Sequence, residues 1–409
     1  RGTRELPGAQ RRREEAAVSA ADIAGRMSAF RAAWVVPIDR APIANGIVEV
    51  ADGRIVRVGE APSAPGPIDL GRVALMPGLV NAHTHLELSW MRGRVPPAPA
   101  FTEWVKGMFA VRGRPDAGLS EAQVAAMHEG AREARAAGTV AVGDISNSLA
   151  SVGPLREAGL DGIVFHELLG FKERDGSLVE RTQGIRAAAR DLGVRISLAP
   201  HAPYSTSLEL FRAIRGAVTA SDCPVMSVHL GESPEESELL RSGSGPWRRM
   251  LEAIGAWRDD WQVPACDPVS YLDRQQVIDR QTLLAHGVQF DDAALRRVAQ
   301  IGATLVTCPR SNRWVGVGVP PIERFYASGV RVAVGTDSLA SVDDLNVFAE
   351  LKMMRSLAPG VAASRILGSA TQVGADALGL GAELGSLSPG KRAAMIAVAL
   401  PSGVTDVEE

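Results

Sequence analysis

The sequence predicts an α/β fold, a (β/α)8 TIM-like barrel with a small β-sandwich domain built from both termini. Three observations carry this. Eight strand candidates alternate with helical segments over about 300 residues, as parallel βαβ units require. Residues able to do chemistry gather at the C-terminal ends of those strands. Short β segments stand at both ends of the chain. The competing arrangement is an open doubly wound sheet, but no GxGxxG follows the first strand.

Residues 1–26, rich in Arg, Ala and Glu around Arg11-Arg-Arg-Glu-Glu15, lack the apolar core of a secretory signal. They read as a disordered tail or an over-extended start, with a basic arm as the rival. Residues 27–72 are expected to form the first part of the small domain. There, Asp52-Gly53 between alternating runs signals a hairpin, and residues 59–71, rich in Pro, Ala and Gly, read as a linker. The barrel is assigned to 73–380. Its first strand lies in Met76–Glu87, followed by Thr139–Asp144, Gly162–Glu167, Arg195–His201, Pro224–His229, Thr282–His286, Ala303–Cys308 and Val330–Asp337. Helical patterns separate them, such as Ser120–Ala136, with Ser120 a candidate cap, and Asp292–Gln300. Residues 381–409, including the strand-like Ala394–Ala399, are expected to complete the small domain.

Charge and cysteine content narrow the function. A net charge of −3 gives no electrostatic case for nucleic acid or an anionic membrane. Three dispersed cysteines, Cys223, Cys266 and Cys308, form no CxxC pair and suit a reducing cytoplasm. No apolar run reaches the roughly 20 residues a membrane helix needs. The expected partner is therefore a small molecule, with a homodimer left open.

The chemistry centres on His83-Thr-His85. Residues two apart on a strand share a face, so both imidazoles reach one point while Thr84 faces away. His201, His229, His286 and Asp337 stand at later strand ends, so five of the seven histidines fall where a barrel builds its site. His229-Leu-Gly-Glu232 places a carboxylate just beyond a ligand, where it can move protons for a metal-activated water. The bland alternative makes Glu232 a first-turn acid of the next helix.

The motifs PGLVNAHTHLE, HLGE, LLAHG, TCPRSN and VGTDS, in that order, resemble the amidohydrolase superfamily in its deaminase and chlorohydrolase-like branch. The resemblance runs from about Met27 to the C-terminus. It implies one divalent metal, Zn2+ or alternatively Fe2+, on His83, His85, His229 and Asp337. Glu232 would be the proton shuttle, and His286 would position the attacking water or the tetrahedral intermediate. Asp337 would also hydrogen-bond that water. No lysine on the fourth strand offers a bridging carbamate, so one metal is favoured over two. The implied reaction is hydrolytic deamination of a 6-aminopurine nucleoside.

Within the branch, Pro200-His-Ala-Pro-Tyr-Ser205 is similar to S-adenosylhomocysteine/methylthioadenosine deaminases and makes His201 a substrate contact. His83-Thr-His-Leu-Glu-Leu-Ser89 and His166-Glu-Leu-Leu-Gly-Phe171 look more like aminodeoxyfutalosine deaminases of menaquinone biosynthesis, whose nucleoside carries a carboxyphenyl ketone. Trp90 is then expected to stack on a ring, Arg92 or Arg94 to meet the carboxylate, and Ser338 to support Asp337. Trp104 reads as packing, whereas Trp247 and Trp261 are placed to close over the site. Cys308 reads as a buried thiol rather than a nucleophile. Compared with the family's usual small domain, the chain ends early at Asp406-Val-Glu-Glu409, which reads as a truncation.

Overall fold

Apolar runs rich in Val, Ile, Leu and Ala, buried along nearly their whole length, form parallel strands covered by helices. The computed structural model of the protein describes residues 27–62, 66–112 and 118–403. The parallel strands are β1 (Leu79–Thr84), β2 (Thr139–Ser146), β3 (Asp161–Leu168), β4 (Arg195–Pro200), β5 (Met226–Leu230), β6 (Thr282–His286), β7 (Thr304–Thr307) and β8 (Arg331–Val334). They match the eight predicted from sequence. They pair into two four-stranded sheets, ordered β4-β3-β2-β1 and β5-β6-β7-β8. The sheets adjoin at both edges. Thr84 and Asp337 form a parallel bridge, and the Asp337 N–H donates to the His83 carbonyl at 3.0 Å. Across the other seam, the His229 N–H donates to the His201 carbonyl at 2.9 Å.

The helices begin where their caps dictate. Ser120 and Gln123 form a reciprocal capping box at Glu121–Ala136, and Asp291 caps Asp292–Ile301. Outside β1, Val80 and Ala82 pack in one cluster with Ala375 and Leu378 from the last helical region.

Two further four-stranded sheets flank this core. One joins Ser28–Arg31, Ile47–Ala51, Arg54–Gly59 and Ile68–Asp69, and the other joins Trp34–Val35, Ile43–Ala44, Val73–Pro77 and Met395–Ala399. Val48, Val50, Leu75 and Leu387 lie in the apolar cluster they share. The hairpin turns on Asp52 and Gly53 with φ of 50° and 71°, the left-handed pair that a two-residue loop requires. The C-terminal strand pairs antiparallel to Val73–Pro77, a segment assigned from sequence to the barrel.

Two expectations change. The 59–71 linker contains a short strand, since Ile68–Asp69 adds to Phe30–Arg31 at a sheet edge. The single strand read from Met76 is two strands, because Val73–Pro77 pairs with Trp34–Val35 and Met395–Ala399. Gly78 separates them, and a Cβ there would sit 2.2 Å from Val140 Cγ1. The expectations for 1–26 and for Asp406–Glu409 lie outside the described residues.

Candidate active site

His83 and His85 leave β1 on one face, with their Nε2 atoms 3.3 Å apart. His229, near the end of β5, brings its Nε2 to 3.3 Å from that of His85. Asp337, just past β8, sets Oδ1 3.5 Å from His85 Nε2 and 3.9 Å from His83 Nε2. Metal–nitrogen bonds of about 2.0–2.1 Å allow ligating nitrogens to stand about 3.3 Å apart, so this spacing fits one divalent ion. Protonation fits as well. His229 Nδ1 donates to the His201 carbonyl at 3.1 Å, which leaves its Nε2 a lone pair toward the other rings. Burial, then neighbouring imidazoles, push His83 and His229 well below the ordinary imidazole range. Neutral imidazoles are the ligating form. Ser311 Oγ donates to Asp337 Oδ2 at 2.5 Å and leaves Oδ1 to face the histidines.

After β5 the chain turns through Gly231 at φ 64°, where a Cβ would meet Phe290 Cε1 at 2.3 Å. Glu232 follows, buried, with Oε1 3.5 Å from His286 Nε2. Glu236 takes the role that the bland reading gave Glu232: its carboxylate accepts the N–H groups of Gly231 and Glu232 at 3.1 and 3.0 Å. Ser233 caps the helix Pro234–Ser242. Glu232 is therefore free of capping duty. Burial, then the nearby Asp337 and Glu236, raise its pKa well above the carboxylate range. Burial, then His85, lower the pKa of His286 to about 3. Asn312 Nδ2 donates to His286 Nδ1 at 3.0 Å, which places the ring proton on Nε2. His286 and Asp337 both hold left-handed backbone, with φ of 77° and 60°. For residues bearing a Cβ that conformation costs on the order of 1–3 kcal/mol and concentrates at functional sites.

Above these groups opens a cavity of about 390 Å³. His85, His201, His229, Glu232, His286 and Asp337 line its floor, and Ser338 also lines it. His201 Nδ1 shares a hydrogen bond of 2.5 Å with Ser205 Oγ. The walls are apolar and aromatic, with Phe101, Trp104 and Met108 from the helix Phe101–Arg112, and Trp247 and Met250 from Pro246–Ala253. Trp247 stacks on Tyr204 with centroids 3.9 Å apart. Among the described residues, Arg112 is the only arginine or lysine in the lining.

The structure does not bring Trp90, Arg92 or Arg94 into this cavity. The turn Leu86–Met91 carries them toward the helix Glu121–Ala136, where they line a separate cavity with Ser120 and Gln123. Arg92 pairs there with Glu133, and the Arg94 guanidinium lies 5.5 Å from the Trp90 ring centre. Trp104, read as packing, lines the main cavity, whereas Trp261 lines another. Cys308 is a buried free thiol, as expected. Ser311 and Asn312, which orient Asp337 and His286, were not assigned from sequence. Their motif TCPRSN follows the seventh strand, between those bearing His286 and Asp337, and that position was the available signal.

Comparison with known proteins agrees with this geometry. The profile of the Amidohydrolase family matches residues 74–408. An aminodeoxyfutalosine deaminase from Deinococcus radiodurans is 32% identical over 332 residues, covering 76% of this chain and 77% of its own. A 5-methylthioadenosine/S-adenosylhomocysteine deaminase from Desulforudis audaxviator is 28% identical, covering 90% and 84%. A solved adenosine deaminase from Xanthomonas campestris with bound zinc superposes with a TM-score of 0.76 at 26% identity, covering 91% and 85%. The chain belongs to the amidohydrolase family and is a hydrolase acting on carbon–nitrogen bonds.

Proposed function

We propose that this enzyme hydrolytically deaminates a 6-aminopurine nucleoside, converting an adenosine moiety and water to an inosine moiety and ammonia. The observation that carries the reading is the buried Glu232–His286 pair beside the cluster of His83, His85, His229 and Asp337, all of which but His83 line one cavity. A divalent ion held by those four groups, Zn2+ in our reading with Fe2+ the alternative, would supply a water of lowered pKa. Glu232 takes the proton that water releases and delivers it to the ring nitrogen beside the reacting carbon. His286 donates from Nε2 toward the oxygen added at that carbon. His201 stands on the floor as a contact for the nucleoside.

For the substrate's 5′ side we favour 6-amino-6-deoxyfutalosine of menaquinone biosynthesis. The aromatic walls suit a carboxyphenyl group, and Arg112 suits its carboxylate. The Deinococcus relative supports the same choice. Methylthioadenosine or S-adenosylhomocysteine is the second reading, supported by the Desulforudis relative, and a chlorohydrolase is the third. We also propose that the two parallel sheets form one closed barrel that starts at Leu79 and runs to about residue 380, with 27–77 and 381–409 as the sandwich domain. No helix among the described residues is long and apolar enough to cross a membrane. A cytoplasmic location, a homodimer and no nucleic-acid partner complete the proposal.

Ammonia release from adenosine, S-adenosylhomocysteine and aminodeoxyfutalosine tests it. We expect turnover of all or some, fastest with aminodeoxyfutalosine. Ammonia from none of them by the zinc-loaded enzyme would overturn the deaminase reading.

A further inference from the structure

Beyond Glu232 and Asp337, the cavity holds two more acidic residues, Glu87 and Glu167, and their surroundings differ. Glu87 is saturated. It accepts from Ser146 Oγ at 2.5 Å, from the N–H groups of Asn147 and Ser148 at 3.0 and 2.9 Å, and from Ser148 Oγ. Its buried charge is met entirely by the loop after β2. Glu167, next to last in β3, is only half met. Asn147 Nδ2 donates to Oε2 at 3.0 Å, while Oε1 is buried without a hydrogen-bond partner among the described residues. No lysine or arginine ion pair reaches it among those residues. The imidazole beside it is His229, with Nδ1 3.6 Å from Oε1 and both side chains under 8% exposed.

A half-satisfied buried carboxylate costs several kcal/mol unless a positive charge lies close by. Here the candidate is a cation on the far side of the His229 ring. His229 Nδ1 donates to the His201 carbonyl, and Oε1 stands beside the same N–H. The carboxylate is itself held in place. Asn147 gives its amide to Glu167 and its N–H to Glu87, and His166 Nε2 meets the Asn147 carbonyl at 3.1 Å.

We infer that Glu167 is a positioning residue for the metal site: its carboxylate, buried beside His229 Nδ1, holds the ring in the orientation that presents Nε2 as a ligand. This rests on the reading of His229 as a ligand. Carboxylates placed behind a ligating imidazole are worth about 10–100-fold in metal affinity.

The test is zinc affinity, measured on the loaded full-length enzyme by competition with a chelator, independently of turnover. Glu167→Gln keeps the shape and removes the charge, and should bind Zn2+ about 10–100-fold more weakly. Glu167→Asp keeps the charge and should fall closer to wild type than the glutamine variant. The Co2+-loaded glutamine variant should also show a shifted ligand-field spectrum. Zinc affinity of Glu167→Gln within twofold of wild type would overturn the inference, as would an equal loss in both variants. If the glutamine variant does not fold, Glu167→Ala takes its place, and formate but not formamide should restore its affinity. No recovery with formate would overturn the inference too. Wild-type protein that binds no zinc would instead refute the underlying metal reading.

Discussion

Glu232, just before the Ser233 cap, and Glu236, in the first turn of the helix, are both buried and make different contacts. Glu236 is spent on backbone N–H groups, so Glu232 can carry a proton to and from substrate. Glu232→Gln should therefore retain bound metal, shown by elemental analysis, while kcat falls by about 10³-fold or more. Near-normal turnover in that variant would remove Glu232 from the mechanism. The interval from His229 made Glu232 legible in the sequence, and strand-end positions did the same for the histidines. Glu167, Ser311 and Asn312 were harder to see. Each acts on a residue from another strand, at a separation of 62 positions for Glu167 and His229, and 26 for both Ser311–Asp337 and Asn312–His286. No local pattern records such pairings.

At the scale of elements, the strands were readable because their apolar runs are continuous and end in polar residues. The loops were not, because side-chain direction after a strand depends on how the chain coils. The turn Leu86–Met91 presents Glu87 and Leu88 to the cavity and takes Trp90 away from it. The helix Phe101–Arg112 then supplies the wall that those residues were expected to form. Another element holds the small helix Pro309–Trp314, which carries Ser311 and Asn312. Glu350, in the first turn of Val347–Leu357, accepts the Arg310 N–H at 3.2 Å. Burial raises its carboxyl to about 8, against the pull of Arg310. A pKa higher folded than unfolded gives stability that is full below about 4.5 and lost as pH rises toward 8. Melting temperatures of Glu350→Gln and wild type should thus diverge in favour of the variant from pH 5 to 8, then run parallel. A constant offset across that range would mean that Glu350 does not titrate there.

For the whole molecule, the grouping of ligands matters more than their number. His83 and His85 follow one four-stranded sheet, while His229 and Asp337 belong to the other. An ion bound by all four would tie the sheets together. It would stabilise the fold by RT ln(1 + [metal]/Kd), about 4 kcal/mol at a thousandfold excess over Kd. Chelation should lower Tm by several degrees, and zinc should restore it. An unchanged Tm would show that the sheets hold together without the ion.

The seams have one more consequence. Of the backbone bonds that cross them, one joins Asp337 to His83 and one joins His229 to His201. The same residues face the cavity or stand directly behind it. Parting either seam therefore pulls the site's groups from their places in the same event that loosens the fold. A molecule partly opened along a seam therefore loses the geometry of its site together with part of its fold.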